Sequence, residues 1–483
     1  VLHTAAELYP WVKTGGLGDV LAALPPALLA QGVDTRLCLP GFPAFLDAFH
    51  LTDAARLATP FATERVRVAL ATLPGSKISA YLVDHPPFYD RPGGPYAGPD
   101  GREWPDNHRR FALLAWIAAA LGTGADPNWR PDVVHGHDWH AGLASAYLRA
   151  EAEAGGNAVA RSVFTVHNLA YTGFFAAGIF PELSLPGHFY ALEGVEFYGG
   201  VSFMKAGLAY AERLTTVSPS YAREIQTAEF GEGFDGLLRA RSDALTGILN
   251  GVDPRYWDPE HDDAIPLGYT IESAEAGKAA AKTELRRRLG LHDGPGPVFG
   301  VVSRLTPQKG LDLLLGALPD MAGAGGQLAL LGSGERDLEA AFAGAAEAQR
   351  GTVGAEIGYD EKLARLIIAG SDSVVVPSRF EPCGLTQLYA LRYGTLPLVR
   401  RTGGLADTVV DATPAHLQNK TATGFIFEAA TTEALAATLE WATAQYANRA
   451  SWRQMMRQAM MQDFSWARSA KQYGALYRDL VAG

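Results

Sequence analysis

Val374-Val375-Val376-Pro377-Ser378-Arg379-Phe380-Glu381-Pro382-Cys383-Gly384-Leu385-Thr386 passes from one kind of element to another within a few residues. The β-branched apolar run at 374–377 predicts a fully buried strand. The chain then breaks at Arg379 to Gly384, and helical spacing resumes over 385–393. Glu381 therefore sits on a loop between the C-terminal end of a strand and the N-terminus of a helix. In open α/β sheets that is where ligands bind. No proline occurs among Gly384, Leu385 and Thr386, so the amides that open the helix are expected to hold an anion. A carboxylate beside an anion site suits a substrate with both hydroxyls and phosphates, as in a nucleotide sugar.

Outward from this stretch, strand and helix patterns alternate along almost the whole chain. Strands are expected at 1–6, 33–39, 66–71, 78–83, 132–135, 162–166 and 214–217, with helices such as 17–30, 107–121 and 141–154 between them. This is the pattern of a parallel sheet covered on both faces. Residues 252–297 are rich in Pro, Asp, Glu and Gly and carry one charged helix near 279–289. A second series then runs through 298–303, 327–331, 353–357, 374–377, 396–399 and 424–427. The class is α/β, with two Rossmann-like domains, 1–247 and 248–455, expected to face one central cleft. The last stretch, 452–480, reads as helix with no strand after it, so 456–483 is expected to pack back on the N-terminal domain. Residues 14–20 (TGGLGDV) recur nearly as 402–408 (TGGLADT), as if each half presented a Gly-rich helix start.

The chain has 483 residues, 48% hydrophobic and 19% charged, enough for two full α/β domains. A formal net charge of -11 argues against nucleic acid or an acidic membrane as partner. Any anionic substrate must then meet a local cluster of Arg and Lys. The two cysteines, Cys38 and Cys383, are far apart in sequence, so a disulfide framework is not expected and a cytoplasmic setting fits. The first residues lack the basic flank and apolar length of a signal peptide. The longest apolar stretch, 111–121, is too short to span a bilayer.

Lys13-Thr14-Gly15-Gly16-Leu17-Gly18-Asp19 follows the first strand, where glycines let backbone approach a ligand and Lys13 adds charge. The stretch is not a Walker loop, because its lysine precedes the glycines. On local pattern it fits a Gly-rich turn with a surface lysine equally well. Arg304 and Lys309 flank a proline turn after the first strand of the second half, placed to meet a diphosphate. His135-Gly136-His137-Asp138-Trp139-His140 invites a metal reading. The order differs from known zinc hydrolases and no second ligand cluster follows, so no metal is expected. Asp138 and Trp139 there suit sugar hydroxyls and stacking. His167 and Asn168 end another strand, where they can bond sugar hydroxyls. Asn250 precedes a glycine and reads equally as a turn residue. Tyr359, after Gly358, suits a nucleobase or a buried aromatic site. The run 331–337 lacks the third glycine of a dinucleotide fingerprint, so NAD is not expected.

Taken together, these motifs resemble the bacterial glycogen synthases and plant starch synthases, retaining glucosyltransferases of glycosyltransferase family five with the GT-B fold. The resemblance spans essentially the whole chain. It rests on Lys13 to Val20, 90–96 (DRPGGPY), 130–140 (RPDVVHGHDWH), 166–171 (VHNLAY), Ser303 to Gly310, Pro377 to Tyr389 and Arg401 to Asp407.

The resemblance implies transfer of glucose from ADP-glucose to the non-reducing 4-hydroxyl of an α-1,4-glucan, with retention of configuration and no metal or other cofactor. It implies an N-terminal domain on the acceptor side and a C-terminal domain on the nucleotide-sugar side. Arg304 and Lys309 would hold the diphosphate, with Lys13 and the Gly15-Gly16 turn closing on it. Tyr359 would stack on adenine, and Asp19 would lie near the nucleotide. His167, Asn250 and Glu381 would engage the donor glucose, with the backbone of Cys383, Gly384, Leu385 and Thr386. Tyr96, Asp138 and Asn168 would lie nearer the sugar and acceptor. Many retaining GT-B enzymes carry a second glutamate eight positions after the first. That position here is Tyr389, so the resemblance names no group for the ribose. UDP-glucose as donor, or another acceptor, remains an alternative, because the base preference is hardly encoded in the motifs.

Overall fold

In a computed structural model of the chain, which describes residues 1–156 and 159–483, the run expected at 374–377 forms the strand Ser373–Val376. Val374, Val375 and Val376 are 0, 2 and 9% exposed, so both faces of this strand are covered, as a continuous apolar run requires. It belongs to a six-stranded sheet, all parallel, ordered Val353–Ile357, Gln327–Gly334, Val298–Leu305, Ser373–Val376, Leu396–Arg400, Phe425–Phe427. The strand that comes first in sequence, Val298–Leu305, lies in the middle, with later strands added on either side. The order reverses there, and the connections leaving Val298–Leu305 and Ser373–Val376 part to leave a crevice at their C-terminal ends. Around this sheet, helices such as Leu311–Gly323, Glu361–Gly370 and Thr432–Ala447 bury a large apolar core, and Val374 and Val376 join a second, smaller one with Ala390, Val399, Leu405 and Val409. This unit comprises Val252–Ser465.

The other unit comprises Val1–Gly251 and Trp466–Gly483. Its nine-stranded sheet runs Leu245–Gly247, Arg213–Thr216, Arg161–Val166, Val133–His137, Leu2–Thr4, Arg36–Pro40, Ser79–Asp84, Ala62–Thr72, Leu51–Thr59. Pairing is parallel through Ser79–Asp84, and the last two strands form an antiparallel hairpin edge. The first strand again lies inside, between Arg36–Pro40 and Val133–His137, so this sheet too reverses order where its first loop begins. A small antiparallel sheet of Phe174–Ala176, Gly200–Ser202 and Glu196–Phe197 was not expected from the sequence.

The stretch 452–480 is two helices rather than one, Arg449–Met460 and Trp466–Ala482. Between them the Asp463 carboxylate accepts from the Ser465 amide at 2.9 Å, and the Phe464 carbonyl accepts from the Val252 amide at 2.7 Å. The second helix packs on Gly16–Leu29, with Gln31 Nε2 donating to the Ala467 carbonyl at 2.6 Å. Among the described residues no helix is long and apolar enough to cross a membrane.

Candidate active site

In the unit Val252–Ser465, the crevice at the strand reversal is a cavity of about 180 Å³. Arg304, Lys309, Glu381, Gly384, Leu385 and Thr386 line it, together with Ser378 and Gln387. Six of the expected site residues are thus brought to one place. Glu381 is buried, and its Oε2 accepts from Lys309 Nζ at 2.6 Å and from Ser378 Oγ at 2.8 Å. Lys309, expected on a diphosphate, is held by this carboxylate. Arg304 is exposed at the cavity rim and has no acidic partner among the described residues.

The Glu381 loop is pinned from both ends. Arg379 forks onto Asp312 with two bonds of 2.7 Å, and its amide donates to the Gln308 carbonyl at 2.8 Å. Gly403 has φ of +43°, and a Cβ there would lie inside the Glu381 carbonyl oxygen, so only glycine fits. Gln387 Nε2 donates to the Cys383 carbonyl at 3.0 Å and the Gly384 carbonyl at 2.9 Å. In a trans peptide the N–H points opposite to the C=O. The Gly384 and Leu385 amides are therefore turned away from Gln387, and neither donates to a backbone carbonyl among the described residues. Gly384 itself has φ of +71°. Cys383 lies buried beneath this turn. Tyr359 stands apart, 81% exposed, one residue before the Asp360 cap of Glu361–Gly370.

In the other unit, Lys13, Gly15, Gly16, Asp19, Asp138, His167 and Asn168 follow the C-terminal ends of three strands, Leu2–Thr4, Val133–His137 and Arg161–Val166. Asn250 follows a fourth, Leu245–Gly247, and Tyr96 lies in the loop before the helix Asn107–Gly122. Glu7, three residues beyond Leu2–Thr4 and only 3% exposed, was not anticipated from the sequence. Its Oε2 accepts from the Thr14 and Gly15 amides at 2.8 and 3.3 Å. Its Oε1 accepts from Thr14 Oγ1 at 2.5 Å and the Tyr96 hydroxyl at 2.6 Å. The Gly15 amide is thus already bound, by a carboxylate of the chain itself. Lys13 pairs with Asp19 at 2.8 Å, and Gly16 opens the helix.

Asp138 follows Val133–His137 with φ of +56°, and its Oδ1 gathers the His167 amide at 2.7 Å and the Asn168 amide at 3.3 Å. Burial raises the Asp138 carboxyl to about 7. Asn168 turns its side chain onto the Ala170 amide at 3.1 Å. His167 Nε2 bonds His137 Nδ1 at 2.9 Å, and burial lowers its pKa to about 3. Asn250 is 7% exposed, and its Oδ1 is buried without a partner among the described residues.

The metal reading of His135, His137 and His140 is not assembled as a set. His140 stacks on Tyr96 with ring centroids 4.8 Å apart, and the close group among the described residues is His3, His135 and His137. Both nitrogens of His135 are already bonded, to the Tyr477 hydroxyl at 2.7 Å and Thr165 Oγ1 at 2.5 Å. Glu7, Arg379 and Gln387 were missed because each acts on a residue distant in sequence or on backbone, and Ser378 because its reach to Glu381 depends on how the loop folds. Of these, only Gln387 had a sequence signal, a polar residue on the buried side of a short helix.

Residues 1–240 match the family described as starch synthase catalytic domain, and residues 282–459 match glycosyl transferases group 1. A glycogen synthase of Francisella philomiragia subsp. philomiragia is 50% identical over 483 residues, 100% of both chains. One from Francisella tularensis subsp. novicida is 49% identical, over 100% of this chain and 99% of the relative. The solved catalytic domain of Starch Synthase IV from Arabidopsis thaliana, bound to ADP and acarbose, has TM-score 0.86 and 32% identity, over 100% of this chain and 99% of that one. A sucrose-phosphate synthase from Thermosynechococcus elongatus, at 18% identity and TM-score 0.59 over 100% of this chain and 98% of that one, shares the fold. The chain belongs to the glycogen and starch synthase family of glycosyltransferases, with the GT-B fold.

Proposed function

We propose that this glycosyltransferase moves glucose from ADP-glucose to the non-reducing 4-hydroxyl of an α-1,4-glucan, with retention of configuration. The observation that carries the reading is the cavity in which the Lys309–Glu381 pair, Arg304 and outward-turned amides converge. Cleavage of the sugar–phosphate bond leaves an oxocarbenium-like sugar and a diphosphate with added negative charge. Arg304, Lys309 and the amides of Gly384, Leu385 and Thr386 stabilise that charge in place, where losing one such donor typically costs about 3–4 kcal/mol of barrier. Glu381, steadied by Lys309 and Ser378, accepts from a glucose hydroxyl.

The acceptor oxygen bonds to C1 on the face the diphosphate leaves, and its proton passes to the departing phosphate, so that ADP and the extended glucan are the products. His167 and Asn250 engage the donor glucose, Lys13, Asp19 and the Gly15-Gly16 turn serve the nucleotide, and Tyr359 stacks on adenine. Tyr96, Asp138 and Asn168 serve the acceptor side. ADP is the nucleotide held by the 32% identical Arabidopsis enzyme, which supports the choice of donor. With protein cations meeting the leaving group, no metal or other cofactor is required, and a cytoplasmic setting accords with the two free cysteines.

The test is ADP release on incubation with ADP-glucose and glycogen, with and without EDTA, beside UDP-glucose. ADP release unaffected by EDTA, and faster than UDP release, is expected. No ADP release under either condition would overturn the reading, and faster UDP release would overturn the donor.

A further inference from the structure

Alternation along Val133–His137 places His135 and His137 on one face of the sheet, and the register pairs His3 of the neighbouring strand with His135. That face is buried, and His3, His135 and His137 are each 0% exposed. His135 is occupied by hydroxyls, but the other two rings continue toward the site. His3 Nδ1 bonds His137 Nε2 at 2.9 Å, and His137 Nδ1 bonds His167 Nε2 at 2.9 Å. The rings are neutral, so each carries one proton to share between its two nitrogens.

Only two arrangements then satisfy both bonds. In one, His3 Nδ1 donates to His137, His137 Nδ1 donates to His167, and His167 keeps its proton on Nδ1. In the other every proton is reversed, and His167 Nδ1 is bare. The ends differ in surroundings. His3 Nε2 is buried with no partner among the described residues, whereas His167 is half-buried. The reversed arrangement would bury an N–H with nothing to accept it, and orphaned buried N–H groups are rarer than unsatisfied acceptors.

We infer that His137 and His3 are positioning residues that lock His167 with its proton on Nδ1, so that His167 meets its ligand as a hydrogen-bond donor to an oxygen. This rests on the proposed contact of His167 with the donor glucose and adds its direction. A ring free to take either tautomer would present a donor for only part of the time. No proton transfer in the reaction is assigned to the chain of rings.

The experiment is two-bond 1H–15N correlation of the full chain labelled with 15N-histidine, His167→Gln locating the His167 signals. Expected is a protonated Nδ1 and a bare Nε2 for His167. The opposite pattern overturns the inference, without recourse to any variant. His3→Leu, which removes the donor to His137, is expected to mix the His167 tautomers and lower kcat roughly tenfold or more while KM for ADP-glucose changes little. His3→Asn, whose amide nitrogen can replace Nδ1, is expected to restore both. An unchanged His167 pattern in His3→Leu overturns the positioning role. A mixed pattern with unchanged kcat supports the lock and instead removes His167 from the donor site.

Discussion

Lys309 and Glu381 are separated by 72 positions in sequence yet form one 2.6 Å contact, with Ser378 as its third member. The carboxylate is 8% exposed, so its charge is acceptable only while the lysine stays beside it. Lys309→Ala is expected to lower stability by about 2 kcal/mol, the scale of a hydrogen bond to a buried charge. Turnover is expected to fall on the order of a hundredfold or more, because the loss touches both the leaving group and the placement of Glu381. Thermal melts and ADP release measure the two effects separately. Unchanged turnover would remove Lys309 from the reaction. The sequence put each of these side chains at a strand end, which is a local property. That they meet each other, and that Lys309 is engaged by a carboxylate before any phosphate arrives, depends on two distant loops lying side by side.

The Gly-rich turn before Gly16–Leu29 shows the same dependence for a whole element. Its glycines marked a close backbone approach, and the expected guest was a phosphate. Glu7 binds part of that turn, taking amides of Thr14 and Gly15 on one oxygen and hydroxyls of Thr14 and Tyr96 on the other. A glutamine at position 7 would turn an NH2 group toward one pair of these donors. Glu7→Gln is therefore expected to loosen the turn by about 1.5–3 kcal/mol. Faster hydrogen exchange at the Thr14 and Gly15 amides, with exchange at Leu37 and Leu39 unchanged, is the signature. Equal protection in both proteins would show that the carboxylate does not hold the turn. Elements that carry their own apolar period, such as Val298–Leu305 and Ser373–Val376, were legible. The edge strand Leu51–Thr59 was not, because exposed residues alternate irregularly along it and few are β-branched.

At the scale of the molecule, buried imidazoles make one unit sensitive to acid. Burial lowers the pKa of His140 to about 4 and of His167 to about 3, and holds His3, His135 and His137 well below the ordinary 6.5. These rings are neutral in the folded chain and take up protons once it unfolds. Their contribution to stability is thus present above pH 6.5 and is lost as pH falls below it, by about 1.4 kcal/mol per pH unit for each proton. Asp138 acts in the opposite sense. Raised to about 7, it favours the folded state increasingly as pH falls from 7 toward 3.8. One carboxyl does not offset so many rings, so the melting temperature is expected to drop steeply between pH 6.5 and 5. A flat profile over that range would mean that the rings accept protons without unfolding.

What the sequence determined by itself was everything governed by local period and local chemistry. Alternating strand and helix runs specified two parallel α/β sheets, and loops at strand ends marked where Arg304, Lys309, Glu381, Asp138 and His167 would stand. Only the tertiary structure decided which of these groups bind one another. Lys309 to Glu381, Glu7 to the Gly-rich turn, and His3 through His137 to His167 are contacts between strands and loops far apart in the chain. Sheet order and register create them, and neither quantity is written in the spacing of residues along a single element.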